Sequence, residues 1–512
     1  MTNKKKYPLA PSALYSAEQI KSIEQRYAAQ NAHGTYPLME KAGASVFHHL
    51  VSKWPHARKI VVVTGKGNNA GDGFIVARLA AERRIKVHLC HLADPNQLTG
   101  DALIAYRQIP RQAIKIVSPE VIKFTDYDVI VDAMLGTGIK GKIIEPYLSV
   151  IKRINGNKVP VLAIDIPTGV EADTGFVHNE AIRADLTVTF VAHKKGMYTG
   201  DAANYRGQVD LSELDIPNTY YDQHTFHLFS QNWHSLKHKL IPRKMVCHKG
   251  AFGHTLVIGG QNGMSGAAIL ASTAAARSGS GLTSAWVGKE SARALVTYTP
   301  EVMATGVDES DILQRIEGLI PSEITLVLGP GLGKSSWSKE WIDAVSANDS
   351  LRYSNQVWDA DALNWLADFS DDVPNRYNSK RILTPHPGEA ARLLNTDIYT
   401  IKQDRYKAAE KIASRYGGVC VLKGNGTIIT DEKGFQVVCP VGNPGMASGG
   451  MGDVLAGLIG SLLAQGFSLM DAAMLGVCIH GEAADKAAGT GQFYRGLLAS
   501  DLFQYFPHLL NP

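Results

Sequence analysis

Apolar residues in this chain fall into short unbroken runs, each followed by a glycine-rich turn and then by a stretch with apolar positions at helical spacing. Lys59 to Thr64 (KIVVVT) leads into Gly65 to Gly73 (GKGNNAGDG), a helical stretch from Phe74 to Arg84, and a second run at Lys86 to Cys90. Such alternation predicts parallel strands covered by helices on both faces. The pattern recurs at Asp128 to Met134, before LGTGIKGK, and at Val161 to Ile166, before PTG. Ligands in such sheets bind beyond the carboxyl ends of the strands, so Asn69, Asp132 and Asp165 are expected to face one crevice. From about Leu211 to His248 the periodicity fades, which predicts a junction near residue 225 and domains of 1–224 and 225–512. A second series opens with His254 to Gly260, the loop QNGMSG and a small-residue helix from Ala267 to Ala276. It continues through Thr325 to Gly333, Asn355 to Leu363, Arg381 to Glu389 and Gly417 to Thr427, and a helix over Val454 to Leu463 is expected to close it. The later loops of the two series differ, so no internal duplication is indicated.

A length of 512 residues suits two or three domains. Lys and Arg number 52 against 48 Asp and Glu. That balance gives no argument for nucleic-acid or membrane partners, neither of which is expected, and suits a basic pocket for anionic metabolites. The run Lys4-Lys5-Lys6 has no apolar stretch behind it and is no secretory signal. The longest apolar tract, Val454 to Met470, is broken by Gln465 and small residues, and reads as a buried helix rather than a membrane span. Five scattered cysteines without CxxC spacing suit reduced thiols in the cytoplasm.

The densest chemistry is GMASGGMGDVLAG, Gly445 to Gly457. A helix leaving a glycine loop presents unpaired N–H groups and a positive dipole end, a natural seat for phosphate. An acidic side chain there repels that ligand unless it does chemical work, so Asp453 is a candidate proton acceptor. The competing reading is an acidic residue that only complements the helix dipole. Gly65 to Ala70 formally fits the GxGxxA dinucleotide fingerprint, but Asn68 and Asn69 occupy positions that usually hold small residues. GPGLGKS, Gly329 to Ser335, is one residue short of a P-loop. Asn69, Asp132 and Thr168 offer an amide, a carboxylate and a hydroxyl from separate loops, a set that suits a weakly hydrated monovalent cation. Equally, Asp132 and Asp165 would cap loops while Thr168 makes a turn. Lys423 to Thr427 (KGNGT) would wrap a nucleotide with backbone N–H groups, or form a plain hairpin. His386 lies between two prolines. Asp359 and Asp361 would serve a metal, or cap the helix beginning near Ala362, with capping favoured for at least one.

Together these motifs resemble a known pair. NNAGDG (68–73), IVDAMLGTGIKGK (130–142) and DIPTG (165–169) resemble the NAD(P)H-hydrate epimerase domain, a Rossmann-like three-layer α/β fold. LVIGG (256–260), LGPGLG (328–333), DADAL (359–363), TPHPGE (384–389), KGNGT (423–427) and GGMGDVLAG (449–457) resemble the ribokinase-like α/β NAD(P)H-hydrate dehydratase domain. The order is that of the bifunctional NAD(P)H-hydrate repair family. Ala70 stands where the family usually has Gly, and Thr168 where Ser is commoner.

The resemblance implies repair of hydrated NADH and NADPH: R and S epimers interconvert in the first domain, and the S form is dehydrated with ADP or ATP in the second. It implies that Asn68, Asn69, Ala70, Gly71, Asp72, Gly136, Thr137, Gly138, Ile139, Lys140, Gly141, Lys142 and Tyr147 hold the hydrate, with Asp165 at the reacting ring. Potassium would sit on Asn69, Asp132 and Thr168. In the second domain Ala267, Gly331, His386 and Asp453 would contact substrate, with Asp453 as base. Lys423, Gly424, Asn425, Gly426, Thr427 and Gly452 would contact the nucleotide, carried with Mg²⁺. A cytoplasmic homo-oligomer is expected. Two other readings compete. One is a ribokinase-like vitamin-precursor kinase fused to a nucleotide-binding domain, marked by a stable phosphoester product. The other is a non-catalytic nucleotide sensor, marked by unchanged nucleotide.

Overall fold

The computed structural model describes residues 12–30, 34–221, 228–320, 324–369, 377–489 and 494–512. Its contacts divide these residues into two compact units, 12–228 and 229–512. The junction expected between 224 and 225, like the Lys4 to Lys6 run, lies outside the described residues.

The first unit is built on strands β1 (Lys59–Thr64), β2 (Lys86–His91), β3 (Ile114–Val117), β4 (Val129–Ala133), β5 (Val161–Ile164), β6 (Leu186–Phe190) and β7 (Gln208–Ser212). They lie parallel in the order β3-β2-β1-β4-β5-β6-β7. Alternation along β1 shows the three layers. Ile60 and Val62 pack with Met39, Val46 and Phe74 from helices α2 (Tyr36–Lys53) and α3 (Asn68–Glu82). Val61 and Val63 face the other way, onto Val150, Ile151 and Ile154 of α5 (Tyr147–Asn155). Helices α1 (Ala17–Gln30) and α4 (Gly100–Arg107) complete the first face. The strand order reverses between β1 and β4, which opens a crevice at their carboxyl ends.

One expectation is corrected here. The helix expected from Phe74 begins at Asn68, so NNAGDG is helix rather than loop. Its glycines serve packing: a Cβ at Gly71 would lie 2.5 Å from Met39 Sδ, and one at Gly73 2.5 Å from Ala133 Cβ.

The second unit runs β8 (His254–Ile258), β9 (Leu282–Val287), β10 (Met303–Gly306), β11 (Thr325–Leu328), β12 (Asn355–Trp358), β13 (Arg381–Leu383) and β14 (Val419–Leu422). These are parallel in the order β14-β13-β12-β11-β8-β9-β10, and β15 (Thr427–Asp431) and β16 (Gln436–Cys439) continue the sheet antiparallel beside β14. The glycine-born helix α12 (Met451–Ala464) lies in the core against α6 (Ser265–Arg277). It does not close the domain: Gly466, at φ 89°, ends the expected Val454–Met470 tract, and α13 (Leu469–Ala487) follows. A Cβ at Gly457 would stand 2.0 Å from the Ala271 carbonyl oxygen. Gly457→Ala is therefore expected to lower the thermal midpoint of this unit, by about 2 kcal/mol or more in stability, because overpacking a helix contact forces backbone apart. Among the described residues no helix is long and apolar enough to cross a membrane.

Two candidate active sites

In the first unit β1, β4, β5 and β6 bring their carboxyl ends together. Asp132, next to last in β4, is wholly buried. Its Oδ1 accepts from the Thr168 hydroxyl (2.7 Å) and Met134 N–H (3.2 Å), and its Oδ2 from Thr168 N–H (2.8 Å). Burial nevertheless pushes its carboxyl up to about 6. Thr168 Oγ1 also accepts from Leu135 N–H at 3.0 Å, so the loop-tying reading of this pair is observed. Asn69 differs. Its side-chain oxygen and nitrogen are both buried, with no hydrogen-bond partner among the described residues. It lies against Gly136, where a Cβ would stand 3.3 Å from Asn69 Cβ.

Asp165 follows β5 in the left-handed region, at φ 64°. Its Oδ1 accepts from the ammonium of Lys194, from Phe190 N–H (3.2 Å) and from the Thr189 hydroxyl (3.3 Å). Asp72 is buried, and burial first, then the negative charges of Asp165 and Glu24, hold its carboxyl well above the usual range. Glu24, from α1, is pushed up to about 7 by burial, against the pull of Lys194. The other expected residues spread round this rim. Asn68 is exposed at the start of α3, whereas Ala70 and Gly71 face the core. Gly136 to Lys142 form the loop after β4, with Gly138, Lys140 and Lys142 exposed and Gly141 N–H donating to Glu171 (3.4 Å). Tyr147 opens α5 with its hydroxyl 3.1 Å from where a Cβ on Gly65 would sit.

In the second unit Gly450, left-handed at φ 87°, turns the chain into α12 and places Asp453 in its first turn. Burial above all, then the negative charge of Asp359, raises the Asp453 carboxyl to about 7, with Lys423 pulling the other way. Lys423 Nζ donates to Asp359 Oδ1 (2.7 Å) and lies 3.9 Å from Glu389 Oε2. A Cβ at Gly452 would stand 3.2 Å from that nitrogen and 3.5 Å from Asp359 Oδ2, so the helix mouth packs directly on this pair. Glu389 is itself lifted to about 7 by burial.

The loop 423–427 is a hairpin turn between antiparallel strands. It is tethered by the buried Arg405, whose guanidinium donates to the carbonyls of Asn425 (2.6 Å), Leu422 (3.1 Å) and Lys423 (3.2 Å). His386 caps helix α10 (Pro387–Leu393): Nδ1 accepts from Gly388 N–H (2.9 Å), while Glu389 Oε2 accepts from His386 N–H (2.8 Å). Ala267 and Gly331 meet, a Cβ on the latter lying 3.0 Å from the former's. Capping by Asp359 or Asp361 is not observed: α9 (Asp361–Ala367) has no side-chain cap. Asp359 is instead committed to Lys423 and to the Thr384 hydroxyl (2.7 Å), and Asp361 accepts from Gly333 N–H (2.9 Å), pinning the glycine loop. Among the described residues no three His, Cys, Asp or Glu side chains gather to hold a metal.

Lys194, Glu24, Arg405 and Glu389 were not singled out from sequence. Lys194 is one of two adjacent lysines in HKKG, and nothing local in the sequence distinguishes it from Lys195.

Residues 35–196 match the family described as YjeF-related protein N-terminus, and residues 255–508 that described as NAD(P)H-hydrate dehydratase. The bifunctional NAD(P)H-hydrate repair enzyme of Coxiella burnetii is 42% identical over 98% of this chain and 100% of its own length. That of Escherichia coli is 38% identical over 99% and 96%. A crystal structure of the Bacillus subtilis ADP/ATP-dependent NAD(P)H-hydrate dehydratase, with ATP and Mg²⁺, is 28% identical, covers 55% of this chain and 96% of its own, and gives a TM-score of 0.48. With an epimerase-type first unit and a dehydratase-type second unit along nearly its whole length, the chain belongs to the bifunctional NAD(P)H-hydrate repair enzymes.

Proposed function

We propose that the two sites restore hydrated NADH and NADPH in sequence, with Asp165 and Asp453 as their acid–base residues and a domain boundary near residue 225. The hydrate carries a hydroxyl on the ring carbon beside nitrogen. At the first site Asp165 protonates that oxygen, water leaves a ring cation stabilised by the nitrogen lone pair, and water returns to either face as its proton passes back to the carboxylate. Asn68, Asn69 and Asp72, backed by Ala70 and Gly71, form with Gly136 to Lys142 and Tyr147 the crevice that orients the hydrate.

At the second site Asp453 takes the proton of the same hydroxyl as its oxygen attacks the terminal phosphorus of ADP or ATP. The nucleotide leaves one phosphate shorter, and the phosphorylated S hydrate expels phosphate to give the reduced cofactor. Lys423, the N–H groups of Gly424 to Thr427 and Gly452 receive the phosphate charge; Ala267, Gly331 and His386 shape the hydrate pocket. The observation that carries this reading is Asp453 itself: a half-buried carboxyl in the first turn of a helix, beside a lysine already paired with another acid.

Potassium fits the first site. The unpartnered Asn69 oxygen and the buried Asp132 carboxylate, with Thr168, offer oxygens with a single negative charge among them. An ion there would neutralise Asp132 and draw the loops after β1, β4 and β5 together. Mg²⁺ fits the second site only as an ion borne by the nucleotide, since no all-protein cage is present among the described residues. It would offset phosphate charge, with Asp359 as the nearest fixed carboxylate to the Lys423 ammonium. A cytoplasmic homo-oligomer completes the proposal.

The test is recovery of reduced-nicotinamide absorbance from a mixed-epimer hydrate supplied with ADP or ATP. A stable phosphoester in place of recovered cofactor would instead mark a small-molecule kinase. The pH profile follows from the carboxyl. Asp453 acts only when ionised, so kcat/KM for dehydration is expected to fall about tenfold per unit as pH drops below about 7, and to level off above it.

A further inference from the structure

Lys194 has no part in the reaction as described, yet its side chain is only 1% exposed and its ammonium is fully occupied. It donates to Asp165 Oδ1, to the Thr189 hydroxyl (2.9 Å) and to the Phe190 carbonyl (2.9 Å). Three acceptors satisfy all three protons of an ammonium, so none is left for a ligand. The consequence falls on Asp165. Every hydrogen bond given to its carboxylate, from Lys194, Thr189 and Phe190, arrives at Oδ1. Its Oδ2 receives none among the described residues. The backbone of Asp165 is left-handed, and so is that of Val191 in the loop that returns Lys194 to the site, so two strained turns are held where this ammonium ties them. The surroundings are otherwise acidic: Glu24 from α1 and Asp72 from α3 face the same pair, and Lys194 is the cation that acts on both.

We propose that Lys194 is a positioning residue of the epimerase site, which immobilises Oδ1 of Asp165 so that Oδ2 alone meets the hydroxyl-bearing ring carbon. The ammonium fixes which oxygen carries the proton, and it is the counter-ion that lets Glu24, Asp72 and Asp165 share one crevice. Burying an ammonium is costly unless its partners are in place, so the pair is built as a unit.

The inference rests on the placement of Asp165 at the reacting ring, and the experiment separates the two. Full-length wild type, Asp165→Asn, Lys194→Met and the double variant are compared for R/S exchange of NADH hydrate, followed by chromatography of the epimers. ADP-dependent dehydration of the S form in the same preparations reports that the chain is folded. Exchange undiminished in Asp165→Asn would refute the placement of Asp165, whatever Lys194 does. If that placement holds, Lys194→Met is expected to lower kcat for exchange by about 10²-fold with KM within threefold. Removing Lys194 from the Asp165→Asn background is expected to cost less than threefold more, because Lys194 acts only through that carboxylate. Should Lys194→Met fail to fold, Lys194→Gln is read by the same criteria; it keeps two donors but no charge. Equal losses in both backgrounds, a loss confined to KM, or an exchange rate within threefold of wild type would overturn the proposal.

Discussion

Replacing Asp453 by Asn is expected to remove nucleotide-dependent dehydration, by on the order of 10³-fold in kcat, while epimer exchange keeps its wild-type rate. The amide is nearly isosteric and stays in the first turn of α12, so the helix, its glycine mouth and Lys423 remain in place. What disappears is, among the described residues, the carboxylate at that mouth without a fixed partner. Asp359 is held by Lys423 and Thr384, and Glu389 by the backbone of His386. Neither can substitute without giving up the interaction that places it. The check is spectrophotometric recovery of reduced cofactor from S hydrate with ADP or ATP. A variant that dehydrates at a tenth of the wild-type rate or better would show that the proton goes elsewhere.

The converse change is Asp165→Asn, expected to slow R/S exchange by on the order of 10²- to 10³-fold and to leave dehydration of pure S hydrate untouched. Asparagine is preferred to alanine because position 165 sits at φ 64°. Asn accepts that backbone readily, and Ala pays a conformational penalty there. Starting from a mixture of epimers, the variant should consume the S fraction and then stall. Loss of both activities in either variant would argue against two independent sites.

Much of this was legible from the residues, for identifiable reasons. Parallel strands buried on both faces read as unbroken apolar runs, and Lys59 to Thr64 is found as expected, residue for residue. The site residues that stood out were those embedded in glycine, since glycine density marks places where backbone and ligand come close. The same signal misled about local structure at Gly71 and Gly73, where a loop was expected. There the close approach is to Met39 and Ala133 inside the protein, and the segment is helix. Lys194 and the Asp359–Lys423 pair were not legible. Their partners lie 29 and 64 residues away, and only the adjacency of β5 to β6, and of β12 to β14 across β13, brings them together. Asn69 was read as a ligand from its loop, whereas the stronger argument, two buried amide atoms without partners among the described residues, exists only in three dimensions.

Asp453 rides on a helix whose Val454, Leu458, Ile459 and Leu462 are wholly buried in the second unit's core. Residues 451–464 follow every described strand of that sheet along the chain. A nascent chain interrupted after the first unit and before residue 451 would thus be able to shuffle epimers but not to consume them, since the segment that carries the proton acceptor also supplies part of a hydrophobic interior that Leu475, Ile479 and Phe506 then complete. Products that stop short of that helix are therefore never half-competent dehydratases: they lack the proton acceptor and a central part of the core together.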